Sequence, residues 1–126
     1  VKITIETIAH EQQRYPTCGD WTFDAAGNLT IKVSQLSDPR FEALIAIHEL
    51  TEAVMCQHAG VTQEMVDLFD KAFERDRHPD NDDEPGDHPD APYRRQHGIA
   101  SGIESILAAE MGVVWGQYEK EVNALP

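Results

Sequence analysis

His48, Glu49 and Glu52 have the residue types and spacing to do chemistry. They fall in "IAIHELTEAVMCQH", Ile45 to His58, a segment whose apolar spacing is that of a buried helix. Advancing about 100° per residue, Phe41, Leu44, Ile45, His48, Glu52, Met55 and Cys56 share an arc of about a third of the circumference. His48 and Glu52 thus stand one turn apart inside an apolar stripe. A buried carboxylate without a partner costs several kcal/mol, so Glu52 requires a cation, a metal ion or a dense set of donors. Glu49 projects about 60° away, at the edge of the stripe, where it can meet both solvent and an activated water.

A third ligand must come from another element. In "PYRRQHGIASGIESILAAEMG" the residues His97, Ser101, Glu104 and Ala108 line one face, flanked by an apolar side of Ile99, Ile103, Ile106 and Leu107. His97 is the expected third ligand. Glu104, about 10 Å further along the axis, and Ser101 are expected behind the ligands as supporting partners. The bland alternative is a polar seam in which Glu52 pairs with His97, Arg94 or Arg95 and no metal is needed. Cys56, on the same face one turn on, reads as core, and His58, His78 and His88 read as surface residues.

Two resemblances follow from these motifs. A hairpin followed by a helix bearing "HELTE" resembles a minimal zincin-type metallopeptidase, with Glu52 in place of the second histidine of HExxH. That resemblance implies a zinc ion on His48, Glu52 and a third ligand, Glu49 as catalytic base, and a peptide or amide substrate laid along an edge strand, here Leu29 to Val33. The segments "RYPTCGDW", "IHELTEAVMCQHAGV", "EPGDHPDAPY" and "GIESILAAEMGV" are similar to small uncharacterised proteins of bacteriophages and prophages, which implies a bacterial host cytoplasm. Mixed histidine and carboxylate ligands suit manganese and iron as well as zinc.

The elements that must position these residues can be read in order. Val1, Ile3 and Ile5 alternate with polar residues as a strand with one buried face. Trp21 and Phe23, a turn through "AAGN", and then Leu29, Ile31 and Val33 read as a hairpin, with Gly27 and Asn28 accepting positive φ. Asp38 caps a helix that Pro39 opens and Gly60 ends, and Thr62 caps a second helix reaching about Arg75. The stretch Glu74 to Pro92 holds eight acids and four prolines and reads as an acidic loop. Asp80, Asp82 and Glu84 alternate there as in a calcium loop, but Pro85 and Ala91 occupy the positions where such a loop needs Gly and Glu. The expectation is one α+β domain, residues 1–126, with a small antiparallel sheet (1–36) packed against three to four helices (38–59, 62–75 and 93–126), the loop spanning 76–92.

Composition sets the outer bounds. With 23 acids against 10 Lys and Arg, a net charge of −13, the chain would repel nucleic-acid phosphates and anionic membranes, so neither partner is expected. Two cysteines without CxxC spacing imply no disulfide framework and fit a reducing compartment. The leading expectation is a zinc-dependent hydrolase. The rival from another class is a non-enzymatic acidic accessory protein, with a structural metal or acting as a DNA mimic.

Overall fold

A computed structural model describes all residues from Val1 to Pro126. Three strands, β1 (Ile3–Ile8), β2 (Gly19–Phe23) and β3 (Leu29–Ser34), precede four α-helices: α1 (Pro39–Ala59), α2 (Gln63–Arg75), α3 (Arg94–Glu110) and α4 (Trp115–Asn123). This is the expected α+β architecture, and the helix limits are close to those read from the caps. No helix is long and apolar enough to cross a membrane.

The sheet differs from expectation. Its order is β1-β3-β2, with β2 antiparallel to β3 but β1 parallel to it, so the sheet is mixed rather than antiparallel. The hairpin forms, but of the two turn residues only Gly27 takes a positive φ, 83°, while Asn28 does not; the Asp24 carboxylate accepts from the backbone N–H groups of Ala26 and Asn28. β1 then runs along the far side of β3, with Ile3 opposite Leu29 and Ile5 opposite Ile31. Leu29, Ile31 and Val33 are fully covered, whereas Ile3 and Ile5 remain about half exposed. The reason is position: α1 packs on β2 and β3, and β1 lies beyond its reach.

α1 is the central pillar. Asp38 accepts from the Arg40 N–H at its start, and Gly60, at φ 76°, closes its end through its N–H to Cys56 O. Its buried residues, Phe41, Leu44, Ile45, His48, Glu52, Ala53 and Cys56, face the sheet and α3. α3 meets α1 through Gln96, His97, Ala100, Glu104 and Ala108. Most of the expected apolar flank lies outside the core: Ile99, Ile103 and Ile106 are exposed, and only Leu107 packs against it. Alanines 100 and 108 let the backbones close up, and the polar side chains fill the seam that isoleucines would otherwise occupy.

Candidate metal centre

His48 and Glu52 leave α1 toward α3, and His97 projects from the first turn of α3 to meet them. Their nearest atoms form a triangle: 3.2 Å from His48 Nε2 to Glu52 Oε2, 3.2 Å from His48 Nε2 to His97 Nδ1, and 3.0 Å from His97 Nδ1 to Glu52 Oε2. Ligand atoms about 2.0–2.1 Å from a tetrahedral ion are separated by about 3.3 Å. The triangle is therefore close to the size a divalent cation requires, and its donors, two imidazoles and a carboxylate, are those that suit one. All three residues are buried, at 9, 5 and 5% exposure for His48, Glu52 and His97.

His48 and Glu52 are held from behind. His48 Nδ1 lies 2.7 Å from Glu104 Oε1, and Glu104 Oε2 accepts from the Tyr118 hydroxyl at 2.6 Å. The Trp21 indole N–H donates to Glu52 Oε1 at 3.0 Å. His97 Nε2 faces two carboxylates of the acidic loop, Glu84 Oε2 at 2.8 Å and Asp87 Oδ1 at 3.3 Å. A ligating imidazole backed by a carboxylate on its other nitrogen has its tautomer and ring orientation fixed. His48 has this backing in full.

Glu104 stands where a supporting partner was expected, but Ser101 does not. Ser101 neither bonds to a ligand nor lines the cleft, because Ala100 takes the slot facing α1 at that level. Arg94 and Arg95 do not approach Glu52. Cys56 is fully buried core, and His58, His78 and His88 are exposed, as read. Asp80 and Asp82 join no cation-sized cluster with Glu84, so the calcium-loop pattern is not realised.

The charges of the centre are tightly coupled. Burial pushes the Glu52 carboxyl up, but hydrogen bonds from His48 and His97 outweigh it and bring its pKa down to about 2. Burial works against protonation of His48, yet its bonds to Glu104 and Glu52 raise it to about 11. His97 behaves likewise, raised to about 10 by Glu52 and Glu84 against its burial. The carboxylates thus favour protonation of the imidazoles in the metal-free chain, and an incoming ion must compete with protons for the ring nitrogens. Burial first, and the charge of Glu52 second, hold the Glu49 carboxyl well above the usual range.

Ligands and Glu49 line a cleft of about 410 Å³ together with Gly19, Trp21 and residues of the acidic loop. Glu49 is half-buried, makes no hydrogen bond, and rests on Gly19, where a β-carbon would come within 2.5 Å of its Oε1. The expected substrate strand is corrected here. Leu29 to Val33 is β3, the central strand, with both sides paired, and the edge strand beside the ligands is β2. Cys18 O accepts from the Ser34 N–H and Asp24 N–H donates to Asn28 O, so alternation turns the backbone groups of Gly19, Trp21 and Phe23 away from β3. The Phe23 N–H is already taken by Gln63, 3.1 Å away.

Sequence reasoning missed Trp21, Tyr118, Glu84 and Asp87. Trp21 and Tyr118 read only as apolar positions, although a buried indole N–H or phenol needs a polar partner. Glu84 and Asp87 were lost among like charges, although Pro85 and Gly86 between them mark a tight turn. Beside the centre, Asp70 is buried and accepts from the hydroxyls of Tyr15, at 3.1 Å, and Tyr93.

The chain matches no protein-family model, no curated protein and no solved structure. What the centre can do must be argued from its own atoms.

Proposed function

We propose that the protein binds a divalent metal ion, zinc in the first instance, on His48, Glu52 and His97, and hydrolyses a peptide or amide bond there. The observation that carries this reading is the triangle of ligand-type atoms lining a cleft, with the remaining polar atoms of His48 and Glu52 bonded to Glu104 and Trp21. Structural zinc sites are closed by four protein ligands, whereas catalytic sites keep a position open, and only three ligands converge here.

When bound, such an ion supplies Lewis acidity, which polarises a carbonyl and acidifies a water. The chain supplies the rest. Glu49 takes the proton of the attacking water on a carboxylate oxygen and passes it to the leaving nitrogen. Neutralising the charge of Glu52 removes the largest of the charge effects that raise the Glu49 carboxyl. Trp21 and Glu104 keep Glu52 and His48 in place, and the outer edge of β2 offers the backbone groups of Trp21 to an extended peptide. The rival reading, an acidic accessory protein or DNA mimic, needs acids spread over an exposed face. Here seven of the 23 lie in the loop 76–92, and Glu84 and Asp87 turn toward His97.

Elemental analysis after zinc loading and dialysis tests the first half. About one equivalent is expected in the wild type and little in His48→Ala or Glu52→Ala, with folding checked by circular dichroism. A folded wild type that takes up no zinc overturns the reading. Glu49→Gln tests the second half: zinc should stay, and cleavage of a mixed peptide library should fall by about 10²–10⁴-fold.

A further inference from the structure

His97 has two nitrogens, and the triangle uses one. The other, Nε2, is buried and has no hydrogen-bond partner. Two carboxylate oxygens nevertheless stand beside it, 2.8 Å away on Glu84 and 3.3 Å away on Asp87. Both are close, yet neither lies where the ring N–H can reach it in line. This is poor geometry for a hydrogen bond, but it is how ligand atoms stand around a common ion, with neighbours about 3 Å apart at the bond lengths of small divalent cations. The three atoms also lie within 4.8 Å of one another. Gly86 makes this approach feasible, since a β-carbon there would fall 2.3 Å from the His97 ring.

We propose that Glu84, Asp87 and His97 Nε2 form a second cation position, on the cleft side of the His97 ring, that competes with the inner centre for that ring. The ligand set is two carboxylates and one imidazole, and the carboxylates are 54 and 62% exposed, leaving room for waters. Such a set, with two carboxylates and open positions for water, accepts a hard divalent ion such as manganese. Competition follows from the imidazole itself. A neutral ring has one lone pair, so a ring that ligates through Nδ1 carries its proton on Nε2 and cannot serve the outer ion. The outer position is therefore filled when the inner one is empty, and a hard divalent ion antagonises zinc loading.

The probe is Mn2+, followed by electron paramagnetic resonance on the full-length, metal-free protein. Asp87→Asn is the decisive variant, because Asp87 touches the outer position and none of the other inner ligands. It should lower Mn2+ affinity at least tenfold and leave zinc affinity within about threefold. Asp82→Asn removes the same charge from the same loop and should leave both unchanged. In the wild type, one equivalent of zinc should release the manganese. The proposal falls if Asp87→Asn and Asp82→Asn weaken Mn2+ equally, if manganese competes with zinc as well in Asp87→Asn as in the wild type, or if one equivalent of each ion is bound together. Manganese binding that depends on Asp87 in a protein that takes up no zinc would sink the inner centre and leave the outer position standing.

Discussion

Gly86 lies against the imidazole of His97 so closely that a β-carbon at position 86 would sit 2.3 Å from the ring's Cγ and 2.5 Å from its Nδ1. Neither partner has room to yield, because His97 is buried between α1 and the loop. Gly86→Ala should therefore cost about 1–3 kcal/mol of stability and displace the ring. Zinc affinity should fall by more than tenfold, as measured by competition with a chromogenic chelator. An affinity equal to the wild type would show that the loop moves aside without disturbing the ligand.

Trp21 is 5% exposed and bonded to Glu52, whereas Trp115 is 39% exposed and bonded to Glu119. The indole at position 21 should therefore sense the charge at Glu52 and the other should not. Zinc added to Trp115→Phe should change tryptophan emission with a one-site isotherm. Trp21→Phe should show no change, and should bind zinc more weakly, having lost the donor that orients Glu52.

The chain of bonds from Tyr118 to Glu104 to His48 predicts a graded series. Glu104→Gln removes the carboxylate that fixes the His48 ring and should reduce zinc affinity by about 10–100-fold. Tyr118→Phe keeps the carboxylate and removes one donor, so affinity should fall less, while stability drops by about 1–2 kcal/mol. Equal losses in the two variants, measured by calorimetry, would mean that Tyr118 orients the ring as strongly as the carboxylate does.

Asp70 gives the metal-free protein a pH signature. Burial, more than the hydrogen bonds from Tyr93 and Tyr15 can offset, raises its pKa from 3.8 to about 7. The folded state therefore holds a proton that the unfolded chain has released between about pH 4 and pH 7, and stability from this group is lost as pH rises through that window. Asp70→Asn should flatten the fall. Urea unfolding at pH 5 and pH 8 checks it, and the variant should gain on the wild type at pH 8.

Local signals were legible where a residue's role is local. The caps of α1, the turn at Gly27 and the one-turn spacing of His48 and Glu52 depend on neighbours in sequence, and the structure has them as read. The convergence of His97 on His48 and Glu52 was legible too, since few residues of ligand type sit on an apolar helix face. Direction within the sheet was not. The alternation in β1 specifies a strand but not its partner, and a parallel pairing with β3 became accessible only because the hairpin had left that side of β3 free. Ser101 failed because angular proximity on α3 says nothing of how closely α1 approaches, which Ala100 decides. Glu84 and Asp87 were hidden because a run of acids gives each member the same local signal, and only the turn at Gly86 singles out those two.

The ligand triangle has a consequence for the protein's lifetime. Two corners belong to α1 and the third to the start of α3, so an ion at the centre ties together two helices separated in sequence by α2 and the whole acidic loop. With the proposed ion bound there, occupancy and folding would form one equilibrium, and the melting temperature would rise with free metal concentration. At 100 times its dissociation constant the ion would contribute about 2.7 kcal/mol. A proteolysis rate measured across a series of metal buffers would then read metal supply directly, with the protein persisting where the ion is plentiful and turning over where it is scarce.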